Sequence, residues 1–176
     1  MNKKSILLFS FVLLHMICVN AQEHMTIMGI PINGSISSFC SKLESKGFKK
    51  DADIQNAKCY KGKFFDENSD IQVEYDSETK IVHSVTVFIV KQHLLSALSI
   101  QKEMIASLKD KYGDQIKEEI VNPKLNQSNY YVFSGLDLIG LIRTFVISSA
   151  NETMFSITYT DVENYLKTEE RKVKDL

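Results

Sequence analysis

Two helical stretches, each closed by a glycine and each followed by three strand-like runs, constrain this chain more than any other feature. The first places Ile36, Phe39, Cys40 and Leu43 at helical spacing, with Ser35 set to cap its start and Gly47 its end. Three extended runs follow, Lys58–Asp66, Ile71–Tyr75 and Ile81–Val90. In the second run Ile71, Val73 and Tyr75 alternate with Gln72 and Glu74, so one face is buried and the other wet. The third is apolar on both parities, which suits a central strand. The second helix covers about Leu94–Tyr112, with a stripe of Leu94, Leu98, Gln101, Ile105, Leu108 and Tyr112, and Gly113 closes it. Runs at Tyr130–Ser134, Gly140–Ser148 and Met154–Thr160 complete the second set.

Strand runs joined by short polar turns pair antiparallel, and helices must bury their stripes against the resulting sheet. The expected class is therefore α+β. Two helix-plus-antiparallel-strand units, about 25–90 and 94–160, form a curved antiparallel sheet with the helices on one face. Residues 22–160 make a single α+β domain. A last helix, 161–176, opens with a Thr160-x-x-Glu163 capping box and sets Val162, Tyr165, Leu166 and Val173 along an apolar side.

Ahead of this domain, Lys3 and Lys4 precede an apolar run from Ile6 to Val19, and Val19-Asn20-Ala21 ends it with small residues where a signal peptidase reads. Residues 1–21 therefore read as a secretory signal peptide, with Gln22 as the mature N-terminus. The run is too short for a membrane anchor, so no transmembrane helix is expected after cleavage. Cys18 is the only cysteine placed for lipidation, and Ile17 stands before it where a small residue is needed. The favoured product is soluble and exported, periplasmic or extracellular, rather than a lipoprotein.

The mature chain carries three more acids than bases, and its only arginines are Arg143 and Arg171. That balance argues against nucleic acid, whose phosphates need a concentrated basic surface. No two histidines stand at i, i+4, no serine elbow occurs, and no glycine-rich phosphate loop is present. Asp66, Glu67, Asn68 and Asp70 lack the glycine and terminal glutamate of a calcium loop. The reading is non-enzymatic, with no catalytic residues, metal or cofactor. Cys40 reads as a free, buried thiol, and export permits the alternative of a disulfide between Cys40 and Cys59. His24 is expected to be mobile beside the cleavage point, and His83 to lie in phase with Val85, Val87 and Ile89.

What is left for function is the sheet face turned away from the helices. Gln72 and Glu74 point there by alternation, and Arg143 and Thr158 belong to later strands. These four residues are the candidate protein-binding face, and the expected partner is another protein or a cell-envelope component. The alternative is a small-ligand carrier, or an enzyme, with an aromatic pocket between helix and sheet lined by Tyr60, Phe64 and Tyr131.

The stretch Met28-Gly29-Ile30-Pro31-Ile32-Asn33-Gly34-Ser35-Ile36 resembles a group of uncharacterised secreted bacterial proteins. The resemblance continues through Lys46-Gly47-Phe48, Tyr60-Lys61-Gly62-Lys63-Phe64, Tyr75-Asp76-Ser77 with Val82–Phe88, and Leu108-Lys109-Asp110-Lys111-Tyr112-Gly113. It covers about residues 24–115 and implies a fold similar to the β-lactamase-inhibitor protein, a helix-and-curved-sheet unit used twice. It brings no activity and no catalytic residues with it.

Overall fold

The structure is a computed structural model and describes residues 24–174. Residues 1–21, read above as a signal peptide, lie outside the described residues, and so does Cys18. A short hairpin, β1 (Thr26–Ile27) and β2 (Ile30–Pro31), precedes helix α1 (Ile36–Ser45). Four strands follow: β3 (Lys49–Ile54), β4 (Ala57–Phe64), β5 (Glu67–Tyr75) and β6 (Val82–Lys91). Helix α2 (Leu94–Tyr112) then leads into β7 (Ile116–Asn122), β8 (Gln127–Ser134), β9 (Asp137–Ser148) and β10 (Thr153–Asp161), and α3 (Val162–Lys174) is the last described element. Eight strands form one antiparallel sheet in the order β3-β4-β5-β6-β10-β9-β8-β7. The fold is thus α+β, with an eight-stranded antiparallel sheet and three α-helices among the described residues.

Each set has one more strand than the apolar pattern implies. The additions, β3 and β7, are the two edges of the sheet. Every residue of β3 is exposed, and β7 is partly covered only at its ends. A strand with neither face buried carries no hydrophobic alternation to read. Its lysines and aspartates also discourage pairing with another chain.

The core lies between the sheet and helices α1 and α2. Phe39 and Leu43 from α1, and Ala97, Met104 and Leu108 from α2, pack against Ile71, Val73, Val85, Val87, Phe155 and Ile157. Ser35 Oγ accepts from the Ser38 N–H at 3.3 Å and caps α1 as expected. The buried side of α2 is rolled from the expected stripe to Ala97, Ile100, Gln101, Met104 and Leu108, and Leu94 is exposed. Gln101 fixes this roll: its Nε2 donates to the Asn126 carbonyl at 2.7 Å and to Thr144 Oγ1 at 3.3 Å.

The entry to the first hairpin and the start of α3 meet at Asp161. Met25–Ile32 folds back as the β1–β2 hairpin, with Met28 and Gly29 at φ 52° and 73°, the mirror-image turn that joins tight hairpins. Its Met25, Ile27, Ile30 and Ile32 are fully buried. Strand β10 continues through Asp161, so the α3 cap is Asp161 and not Thr160: Asp161 Oδ1 accepts from the Asn164 N–H at 3.1 Å. Asp161 Oδ2 accepts from the Met25 N–H at 3.3 Å and meets His24 Nδ1 at 2.8 Å. His24 is therefore anchored rather than mobile.

Cys40 is buried and free, as the favoured reading has it, and Cys59 is free as well; two further expectations are corrected. Tyr60, inside the core, faces the helices and approaches Cys40, so its neighbour Cys59 points to the opposite side of the sheet. Helix α3 does not lie with α1 and α2. Its Tyr165, Leu166 and Val173 are exposed, Thr168 is its one buried residue, and it borders a cavity with the outward residues Gln72 and Glu74. His83 is out of phase with Val85, because a register shift pairs Glu74 with Ser84 but Tyr75 with Val82.

Gly62 permits the close approach of α1's exit loop: a Cβ there would meet the Phe48 ring at 2.4 Å. Gly62→Ala is expected to destabilise the fold by ~1–3 kcal/mol in urea unfolding. Combining it with Phe48→Leu should cost less than the sum of the two single changes.

Candidate functional site

Alternation and register assemble the outward face of the sheet residue by residue. Cys59, Gln72, Thr86, Thr158, Arg143, Asn129 and Glu119 are successive cross-strand partners from β4 to β7, so all seven share one face and one row. Three of the expected face residues, Gln72, Thr158 and Arg143, stand in this row, and Glu74 lies one row away. Polar contacts stitch the row together. Thr86 and Thr158 share a hydroxyl–hydroxyl bond of 3.0 Å, Arg143 Nε donates to Asn129 Oδ1 at 3.3 Å, and Tyr131 OH donates to Glu119 Oε2 at 2.6 Å. Gln72 Nε2 donates to Glu74 Oε1 at 2.8 Å. Gln72 and Arg143 are three strands apart, about 14 Å at the usual strand spacing, so Glu74 and Arg143 act as separate charges.

The next two rows are apolar. Phe88, Ser156 and Phe145 are partners across β6, β10 and β9, and so are Val90, Met154 and Ile147. Val90 is 50% exposed and Ile147 46%, and the two phenylalanines and Met154 are partly exposed. Ser156, between the phenylalanines, is fully buried, and its Oγ has no hydrogen-bond partner among the described residues. Beside Phe88 and Val90 lies a depression of about 730 Å³ bordered by Lys46, Lys49, Lys61 and Lys63, with Asp70 its only acid. The face is thus apolar at its centre and positive along the β4 side.

This apolar patch was missing from the expected site. Its signal was available: Phe88 and Val90 make Ile81–Val90 apolar on both parities. Burial on both faces holds from Val82 to Val87, but past that point the outward residues are open.

At the opposite end of the face, α3 closes a polar cavity of about 250 Å³. Its walls include Gln72 and Glu74 from β5, His83 from β6, and Thr168, Arg171 and Lys172 from α3. Asp76, in the β5–β6 turn, is the fixed point. Arg171 donates to Asp76 Oδ2 from Nε and Nη2, both at 3.1 Å. Asp76 Oδ1 accepts from the Glu78 and Thr79 N–H groups and from Thr79 Oγ1. Burial alone would raise the Asp76 pKa. The bonds from Thr79, Arg171 and Glu78 outweigh it and hold the carboxyl at about 2.

The expected aromatic pocket does not form as a unit. Tyr60 is packed in the core with its OH on Glu44 at 3.2 Å, and Tyr131 lies on the outward face. Only Phe64 borders a cavity between helix and sheet, one of about 300 Å³ with Phe65, Met104, Leu108 and Tyr159. Among the described residues no group of three or more His, Cys, Asp or Glu is placed to hold a metal ion. None of the described helices is long and apolar enough to cross a membrane. No family model, no curated protein and no solved structure matches the chain.

The Asp76 pKa carries a stability prediction. A carboxyl depressed from 3.8 to about 2 contributes stability that is present above pH 4 and lost as pH falls through about 2. Asp76→Asn is expected to unfold at lower urea than the parent at pH 7, by ~2 kcal/mol, with the gap closing near pH 2.

Proposed function

We propose that the chain is an exported, non-enzymatic module that binds another protein or a cell-envelope component through the outward face of its sheet. Residues 25–90 and 94–160 are read as its two units, the arrangement that the resemblance to the β-lactamase-inhibitor fold implies. The observation that carries the proposal is the run of Phe88, Val90, Met154, Phe145 and Ile147 on one face of three neighbouring strands. Isolated apolar residues on a surface are ordinary, but a contiguous apolar centre with a polar rim has the make-up of an interface. Gln72, Thr158 and Arg143 supply directional polar contacts along one side, and Lys46, Lys49 and Lys63 favour a partner that presents carboxylates.

A small-ligand carrier is the second reading, favoured by the apolar cavity of about 300 Å³ beneath α2. It differs in the residues it needs, because Met104 and Leu108 face that cavity and Val90 and Ile147 do not.

Replacing Val90 and Ile147 together by lysine is expected to abolish capture of a partner from the native envelope fraction while leaving the melting temperature within a few degrees. Arg143→Ala should weaken the same capture by roughly tenfold, ~1.4 kcal/mol. Equal capture by parent and variants, measured as Kd with the purified partner, would sink the reading.

A further inference from the structure

The irregularity in β6 is where the fold departs from its own pattern. Opposite Glu74 and Tyr75 the ladder slips, so Ser84 and Val82 find partners and His83 is left between them. Such bulges turn one side chain to the other face of a strand and recur beside functional sites. Val82 stays in the core, and the imidazole is delivered to the outward side, where it meets the Tyr165 ring edge-on at 5.9 Å. His83 is 7% exposed, borders the cavity under α3, and its Nδ1 has no hydrogen-bond partner among the described residues. A buried polar atom of this kind is normally satisfied, so the orphan nitrogen points to a group the cavity receives.

The chemistry of that group follows from which wall residues are already engaged. Arg171 is engaged by Asp76, and Lys172 Nζ by Glu169 Oε1 at 2.6 Å. The Thr168 hydroxyl donates its proton to the Asn164 carbonyl at 2.9 Å, which leaves its oxygen as an acceptor. Gln72 gives one amide N–H to Glu74 and keeps its carbonyl oxygen and a second N–H, and Glu74 keeps one carboxylate oxygen with no bond to a described residue. Arg171 and Lys172 are each paired with a carboxylate, so the acceptors left without a donor, Glu74 above all, favour a cationic donor. Burial pushes the His83 pKa down, with smaller opposing and reinforcing contributions from Glu74, Lys172, Asp76 and Glu169. The ring is then neutral at pH 7, and with its proton on Nε2 it presents Nδ1 as one more acceptor.

We propose that this cavity binds a small molecule through a primary ammonium group, which donates to the Glu74 carboxylate and to His83 Nδ1. At about 250 Å³ the space holds roughly eight waters' worth of liquid volume, which suits a molecule the size of an amino alcohol or an amino acid. Lys172, at the rim, is 62% exposed and free to exchange Glu169 for an anionic tail on the ligand.

The test is an NMR titration of the imidazole nitrogens of the full-length protein, with the His83 signals identified by their loss in His83→Gln. Ethanolamine is expected to move the His83 Nδ1 signal saturably, with Kd on the order of 1 mM or tighter. Acetate should not move it, and tetramethylammonium, a cation without N–H donors, should bind at least tenfold more weakly. Glu74→Gln, folded as judged by an unchanged melting temperature, should weaken ethanolamine at least tenfold. Glycine tests the tail: tighter binding than ethanolamine, lost in Lys172→Ala, assigns the ligand to the amino acids, and equal binding assigns it to simple amines. The proposal is overturned if no amine shifts His83 saturably, if acetate does so instead, if tetramethylammonium equals ethanolamine, or if Glu74→Gln binds as the parent does.

Discussion

The pairing of β6 with β10 is the contact on which the remainder of the structure rests. It runs from Lys91 opposite Thr153 to Ser84 opposite Thr160 and joins β3–β6 to β7–β10 in one sheet. Its inward residues Val85, Val87, Ile89, Phe155, Ile157 and Tyr159 are all buried, and α2 lies across it. The partners are far apart in the chain; Thr86 and Thr158 are separated by 72 positions. Closing so long a loop carries an entropic cost that rises slowly with length, and the apolar seam offsets it once many pairs form together. Neither set of strands has this cover alone, since each would leave its most apolar strand as an open edge.

The same seam sets the character of the outward face. Alternation gives β6 and β10 outward pairs that change steadily along their length: Ser84 with Thr160, Thr86 with Thr158, Phe88 with Ser156, and Val90 with Met154. One end is lined by hydroxyls and the other by apolar groups. Helix α3 closes over the hydroxyl end, where its own polar residues find partners, and the apolar end is left open. Two different environments therefore arise from one pair of strands: a polar cavity below and an apolar, lysine-edged surface above.

The sequence was legible wherever burial imposed a period. Ile71, Val73 and Tyr75, the apolar run to Val90, and the helices capped by Ser35 and ended by Gly47 and Gly113 are all places where one face must be dry and the other wet. Strands β3 and β7 were illegible for the converse reason: exposed edges impose no period. The bulge at His83 was hidden because Val82, His83, Ser84 and Val85 read as an ordinary continuation of the strand, and the slip depends on where Tyr75 pairs. Gln72, Thr158 and Arg143 were read one strand at a time, and their common row depends on strand order, which no local pattern records. Cys59 shows the same limit, since its separation from Cys40 depends on which face Tyr60 takes.

Helix α3 is held differently from the other two helices, and that difference bears on what the cavity can do. It has one buried residue, and its fixed contacts are polar: Asn164 to Asp161 and to the Ile32 carbonyl, and Arg171 to Asp76. Its apolar Leu166 and Val173 point to solvent. Segments with few buried apolar contacts open at lower free energy than the core, so α3 can lift from the sheet without disturbing the β6–β10 seam. The two carboxylates that hold it are themselves fixed, Asp161 by the Met25 N–H and Asp76 by its own turn. The cavity beside His83 thus has one wall held by polar contacts alone, while the apolar patch at the far end of the same strands stays where the core puts it.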